Sequence, residues 1–343
     1  MSKGLFARAI QQSGSSNSPW SQIYKPRERA FALGRKLGLY TDDVNELYNF
    51  LKTQPVESLI QAQVPLSFSE QAQPDLKIYF SITDEKLFGE NERFFYGDVY
   101  DILRQGIHDK VDIMTGYSAN EGIVYLGTRE GLGKKIDAAE NYLEYLSPQS
   151  MKVKLPIEDL LEVGQKMKKY YFKNEKITAE DWEGLVHFYS MNMFVYPLIE
   201  WVKYCAKRQR NNLYVYKFTC KSERNVMSHL QGSSDIIGDK PVTSHGDDVM
   251  YLFNARIVKS KVSPTSKTFQ IIDRVTKLWT NFAKYGNPTP NYDLNVRWTP
   301  YTLEKQDYLD IGNELITATK PEQQEIEFWE SIYKEYLLHE VFE

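Results

Sequence analysis

The sequence is poor in cysteine. It has two in 343 residues, Cys205 and Cys220. A lone pair with no second pair at ligand spacing is no zinc signal; two buried free thiols are the expectation, with a disulfide as the alternative. There is no Asn-x-Ser/Thr sequon, because Asn287 is followed by Pro288. Few cysteines and no sequon lean towards a reducing, cytoplasmic compartment. No long hydrophobic run is present. The most apolar charge-free stretch, Gly184 to Ile199, contains His187, Asn192 and Pro197. It is too short to span a bilayer and reads as a buried core helix. No signal-peptide-like apolar region follows Met1. An excess of either charge is also lacking: 42 basic against 46 acidic residues give a net charge of -4. The basic clusters Lys166-Met167-Lys168-Lys169 and Lys207-Arg208-Gln209-Arg210 are short and read as solvated helix ends, so no nucleic-acid partner is expected.

What is present is ordinary globular material, with 42% hydrophobic and 26% charged residues. This length holds one large or two ordinary domains and buries a sizeable core. Aromatic residues reach 14%, including 24 Tyr and 17 Phe, which suits large pockets or simple packing. Phe6 to Gln12 reads as a strand entering Ser13-Gly14-Ser15, as in the middle of a fold. Helices are expected over Arg27–Leu37, over 41–52 with Thr41 as N-cap, and from Pro55 onward. Residues 63–95 read as loop. Asp98 caps a short helix that Gly106 ends. Val111 to Thr115 is an apolar run of the kind found in buried parallel strands, and Asn212 to Thr219 is the clearest strand. Several helices fill 138–204, and Met191 and Met193 read as core packing before pocket lining. An amphipathic helix covers Phe269–Lys284, a loop and short strand cover Trp298–Ile311, and a closing helix covers Glu325–Leu338.

Two loops carry the chemistry. Ser244-His245-Gly246-Asp247-Asp248 places a histidine in a polar turn after a strand. A lone loop histidine is more often solvated or bonded to nearby backbone. The second loop, Gly116-Tyr117-Ser118-Ala119-Asn120-Glu121-Gly122, places an acid after an earlier strand. Acid first and histidine second, each after a strand, is the order of the last two members of an α/β-hydrolase triad. In such a triad the histidine takes a hydroxyl proton and the carboxylate fixes its tautomer. Asp248 either tunes the site electrostatically or serves as a turn or helix-start acid. The nucleophile's G-x-S-x-G elbow is absent. Gly116-Tyr117-Ser118-Ala119-Asn120 lacks the final glycine, Gly14-Ser15-Ser16-Asn17 also fails, and no Gly-Gly-Gly stretch offers an oxyanion hole.

These residues resemble the type-B carboxylesterase family, which includes cholinesterases and insect juvenile-hormone esterases. "SKGLFARAIQQSGSSNSPW" (2–20) resembles the segment after that family's nucleophile helix. "GYSANEG" (116–122) resembles the catalytic-acid loop, and "SHGDDVMYLF" (244–253) the histidine loop. "LWTNFAKYGNPTP" (278–290), "WTPYT" (298–302) with "YLDIG" (308–312), and "FWESIY" (328–333) resemble the closing segments. The arthropod carboxylesterases are the nearest branch. The resemblance implies an α/β-hydrolase fold, a mostly parallel sheet flanked by helices, with residues 1–343 forming the C-terminal portion of one domain. It implies ester hydrolysis through an acyl-serine, with Glu121 as acid, His245 as base, and no metal or organic cofactor. The aromatic content suggests a small apolar ester as substrate, Asp248 is the candidate supporting acid, and no membrane span is expected. Oligomeric state is left open.

Two departures from the family stand out. Leu39 and Phe50 occupy the places of a family cysteine pair, so that disulfide is not expected. The first sheet strands, the oxyanion hole and the serine elbow are expected upstream of Met1, where a signal peptide for secretion would also lie. Parallel strands without their neighbours expose an apolar edge, so the isolated chain is expected to be poorly soluble and inactive. A second reading, from a different class, is a non-catalytic esterase-like adhesion or binding protein. A third is an inactive truncated product.

Overall fold

Five strands and the main-chain register between them set where the functional loops emerge. A computed structural model describes residues 4–23, 25–66, 80–87, 89–173, 175–208, 210–258 and 261–337. The strands β1 (Arg8–Gln12), β2 (Asp112–Ser118), β3 (Leu213–Phe218), β4 (Asp307–Ile311) and β5 (Leu315–Thr319) form one sheet in the order β1-β2-β3-β4-β5. The first four are parallel and β5 returns antiparallel. The expected mostly parallel sheet flanked by helices is therefore present.

β2 and β3 are buried almost throughout, as central parallel strands covered on both faces must be. β1 is an outer strand of the described sheet and Ile10 on it is 37% exposed. β2 is longer than the sequence suggests. It continues through Gly116, Tyr117 and Ser118, which the sequence places in the acid loop. Gly116 explains the difference: a Cβ there would stand 2.3 Å from the Tyr216 carbonyl oxygen and 2.4 Å from its ring. Close strand approach demands glycine, and glycine in a sequence reads as a strand end. β5 has no counterpart in the sequence reading, because its short run is half-exposed and carries no alternation strong enough to mark it.

The helix Lys267–Tyr285 is amphipathic, is capped by Ser266, and ends at Gly286 with φ 67°. Its Ile271, Val275, Leu278 and Phe282 pack on Tyr214, Tyr216 and Phe218 of β3 and on Leu309 and Ile311 of β4. Each such side chain contributes on the order of 2 kcal/mol by leaving water. The apolar stretch at 184–199 is the expected core helix. It runs as Trp182–Ser190, a π-helical turn Met191–Val195, and Tyr196–Arg208. The segment 221–244 holds two short helices, Met227–Leu230 and Ser234–Ile237. Cys205 and Cys220 are both buried free thiols.

All the strands lie in one compact unit, Met1–Pro19 with Gly97–Glu343. Trp20–Tyr96 is a second unit with helices Pro26–Lys36, Val44–Lys52 and Val56–Gln61, around a small core of Leu33, Ala62 and Val64. Asp43, not Thr41, caps the second of these helices: its carboxylate accepts the Glu46 N–H at 2.8 Å. Thr41 instead accepts the Asp43 N–H at 3.0 Å, two positions outside the cap. Pro55 is likewise the cap itself and not the first helical residue. Within the expected loop at 63–95, residues 67–79 and 88 lie outside the described residues.

Candidate active site

β2 ends at Ser118, and the chain turns through Ala119 and Asn120 into a 3-10 turn, Glu121–Tyr125. The turn is held by its second residue. Gly122 donates its N–H to Ser190 Oγ at 2.8 Å. A Cβ on Gly122 would lie 2.2 Å from the Val186 carbonyl oxygen, so the turn rests directly on helix backbone. Glu121 is left with no exposed surface. Its Oε1 accepts the Ser118 N–H at 2.6 Å and the Ser13 hydroxyl at 2.5 Å.

The histidine arrives from β3. Segment 221–244 brings Thr243 and Ser244 alongside Asn120, with Asn120 N–H bonded to Thr243 O at 2.9 Å and Thr243 N–H to Asn120 Oδ1 at 3.2 Å. A parallel bridge pairs Asn120 with Ser244. Main chain thus ties the two loops together one residue before each functional side chain. His245 Nδ1 lies 2.7 Å from Glu121 Oε2. The histidine side chain keeps 34% exposure while the glutamate has none. Phe194, from the π-helical turn, lies against the imidazole with ring centroids 4.8 Å apart. Such turns widen a helix locally and redirect a side chain.

Asp248 is fully buried. It caps the short helix Val249–Leu252, its Oδ1 accepting the Val249 N–H at 2.9 Å. Its Oδ2 accepts from Gln12 Nε2 at 2.8 Å and from the Tyr216 hydroxyl at 2.9 Å. Its charge also bears on His245, because it helps to raise the histidine's pKa.

Burial works to lower the His245 pKa, but the Glu121 hydrogen bond and charge, with Asp248 and Asp247 adding, outweigh it and raise the value above the ordinary histidine range. A base raised in the folded state stabilises the fold below its unfolded pKa, and that stability is lost as pH rises through the folded pKa. Glu121→Gln removes the largest raising influence and leaves burial in place. The His245 ring is therefore expected to titrate at lower pH in that variant, as followed by NMR of its ring nitrogens. An unchanged titration would disprove the electrostatic coupling.

The geometry brings together both residues picked out from the sequence as acid and base. Gln12, Ser13 and Phe194 were missed. Ser13 leaves a faint trace, since a non-glycine residue at φ 58° is uncommon, but that is visible only in the fold. Of the two methionines, Met191 packs in the core, and it is their neighbour Phe194 that reaches the histidine. Among the described residues, no helix is long and apolar enough to cross a membrane.

Chemically, a buried carboxylate on Nδ1 fixes the imidazole tautomer that leaves Nε2 as the basic nitrogen, and it stabilises the imidazolium once a proton is taken. Comparisons with known proteins bear on what such a pair serves. The family model described as the carboxylesterase family matches residues 1–329. A carboxylic ester hydrolase of Bombus ignitus is 26% identical over 341 residues, covering 97% of this chain and 58% of that protein. A juvenile hormone esterase of Tribolium castaneum is 21% identical over 326 residues, covering 91% of this chain and 54% of that protein. In structure, the juvenile hormone esterase of Manduca sexta, solved with OTFP covalently attached, superposes with a TM-score of 0.78 at 21% identity, over 96% of this chain and 61% of that one. The chain thus spans little more than half the length of the relatives it matches.

Proposed function

The chain belongs to the carboxylesterase family, and on that premise we propose that the protein carrying it is a serine carboxylesterase in which Glu121 and His245 are the acid and the base. The observation that carries this reading is the 2.7 Å contact from His245 Nδ1 to a Glu121 carboxylate that is itself fully buried. Burial and the Ser13 and Ser118 donors hold the carboxylate in one orientation. The histidine's exposure leaves its other nitrogen open to a substrate-side partner.

In the proposed reaction His245 Nε2 takes the proton of a serine hydroxyl as that oxygen attacks the ester carbonyl. The imidazolium, stabilised by Glu121, then returns the proton to the departing alkoxide. Water repeats the sequence on the acyl-serine and restores the enzyme. The serine belongs to a G-x-S-x-G elbow that is not among these 343 residues. Both compact units of the chain belong to one carboxylesterase domain in this reading, and Asp248 supports the base. The substrate class is a small apolar ester, in keeping with the aromatic residue beside the base.

The test compares the intact protein with residues 1–343 alone on 4-nitrophenyl esters of increasing acyl length. The intact protein is expected to turn them over and to lose activity to a covalent phosphonate serine reagent. The 343 residues alone are expected to give no turnover that the reagent abolishes. An intact protein that hydrolyses none of these esters would favour a non-catalytic binding role. Reagent-sensitive turnover by residues 1–343 would show that the nucleophile lies within them.

A further inference from the structure

Asp247 takes no direct part in the acid–base pair, yet it is fully buried. Both of its carboxylate oxygens are spent on main-chain donors. Oδ2 accepts the Ser244 N–H at 2.7 Å, and Oδ1 accepts the Met227 N–H, twenty residues upstream, at 3.0 Å. One donor belongs to the turn that presents His245. The other opens the short helix Met227–Leu230. A carboxylate is withdrawn from water only at a large cost, which such charge-assisted bonds offset.

Further contacts join the same two segments. Ser244 Oγ donates to Gln231 Oε1 at 2.9 Å, and Gln231 Nε2 reaches the His245 carbonyl oxygen at 3.5 Å. Gly246, at φ 85°, lies so close to Met227 that a Cβ would stand 3.4 Å from its terminal methyl. The helix is therefore the floor on which the histidine turn sits.

We propose that Asp247 is a positioning residue: by accepting two main-chain N–H bonds it clamps the turn carrying His245 onto the Met227–Leu230 helix and so fixes the imidazole against Glu121. The proposal rests on the reading of His245 as the base and adds a residue that holds it. The chemistry of the clamp calls for a carboxylate. Asparagine has one oxygen, and its amide would set N–H against N–H at one of the two donors. The charge has a second effect, since Asp247 is among the groups that raise the His245 pKa. Burial, with Asp248 adding, pushes Asp247 itself up to about 7, against the pull of its two main-chain donors. Its charge also reaches Cys220 and Tyr251 on the neighbouring elements.

The experiment is made on the intact protein. Asp247→Asn is expected to lower kcat by about 10- to 100-fold with KM held within about twofold, as a misplaced base does. The acid limb of its pH–rate profile is expected at lower pH, because a negative charge near the base is gone. Amide hydrogen exchange is expected to quicken at Met227 and Ser244. A merely structural role would lower thermal stability and leave the acid limb in place. Wild-type kcat, acid limb and exchange in the variant would overturn the clamp. Should Asp247→Asn fail to fold, Asp247→Glu keeps the charge but moves the carboxylate off its two donors and is expected to quicken exchange at Met227 and Ser244; unchanged exchange there would also overturn the clamp. His245→Ala separates the two levels of the argument. If it keeps full turnover, the base reading falls. Exchange at Met227 and Ser244 and the ring titration of His245, neither of which needs turnover, then still decide whether Asp247 holds the turn.

Discussion

Substituting His245 with alanine is expected to lower kcat for ester hydrolysis by the intact protein by roughly 10⁴- to 10⁶-fold, with little change in KM, as loss of a triad base does in serine hydrolases. The size follows from what the imidazole alone supplies. Nothing else described at this site offers a nitrogen base: Glu121 is fully buried and faces the histidine, and Asp248 is spent on Gln12, Tyr216 and its helix cap. The substitution also leaves the Glu121 carboxylate buried beside a vacancy, so thermal stability is to be measured alongside the kinetics. His245→Gln, which fills most of the space without supplying a base, is expected to fall as far in kcat while recovering much of the stability. A loss below about tenfold in both variants would remove His245 from the mechanism.

The second large effect is expected one residue from the acid. Gly122→Ala places a methyl group 2.2 Å from the Val186 carbonyl oxygen and 2.8 Å from the Ser190 N–H and the Tyr189 Cβ. Two of those three neighbours are helix backbone, which does not swing aside as the end of a long side chain would. The turn must lift off the helix and break the Gly122 to Ser190 Oγ bond. The expected cost is about 3 kcal/mol, at the upper end for overpacking, which corresponds to a melting temperature lower by about 4 °C for a chain of this size. Because Glu121 precedes the glycine directly, kcat is expected to fall with it. Gly133→Ala is the matched comparison. That position is exposed on the helix Arg129–Asn141, with open space where the Cβ would stand, and alanine there is expected to stabilise by about 0.5–1 kcal/mol. Equal melting temperatures for the two variants would contradict the packing argument.

How much of this was legible in the sequence depends on the range over which each cause acts. β3 announces itself because its alternating aromatic and β-branched residues are a local signal, and the helix Lys267–Tyr285 does so through its apolar period. Glu121 and His245 were legible as separate residues, each in a turn after an apolar strand. Their contact was not, since it depends on Asn120 pairing with Ser244 across the sheet. Gly116 misled, because the tight approach that makes it necessary lies on another strand, and so the strand seemed to stop early. Ser13 and Gln12 carry no local mark at all. They reach the site because β1 pairs with β2 in a register that sets Gln12 beside Gly116. Thr41 reads as a cap because it is a good capping residue two positions from Asp43, and only backbone geometry decides between them.

The neighbouring residues Gln12 and Ser13 have a consequence for how the chain reaches its working state. Ser13 reaches across 108 positions of sequence to Glu121, Glu121 across 124 to His245, and Gln12 across 236 to Asp248. Contacts of such separation carry the largest loop-closure entropy and form only after the intervening chain has found its place. The acid–base pair is therefore expected to assemble among the last events of folding, once β1 has docked on β2. A partly folded or newly made chain would carry both residues and still hold them apart, so their pairing follows completion of the fold.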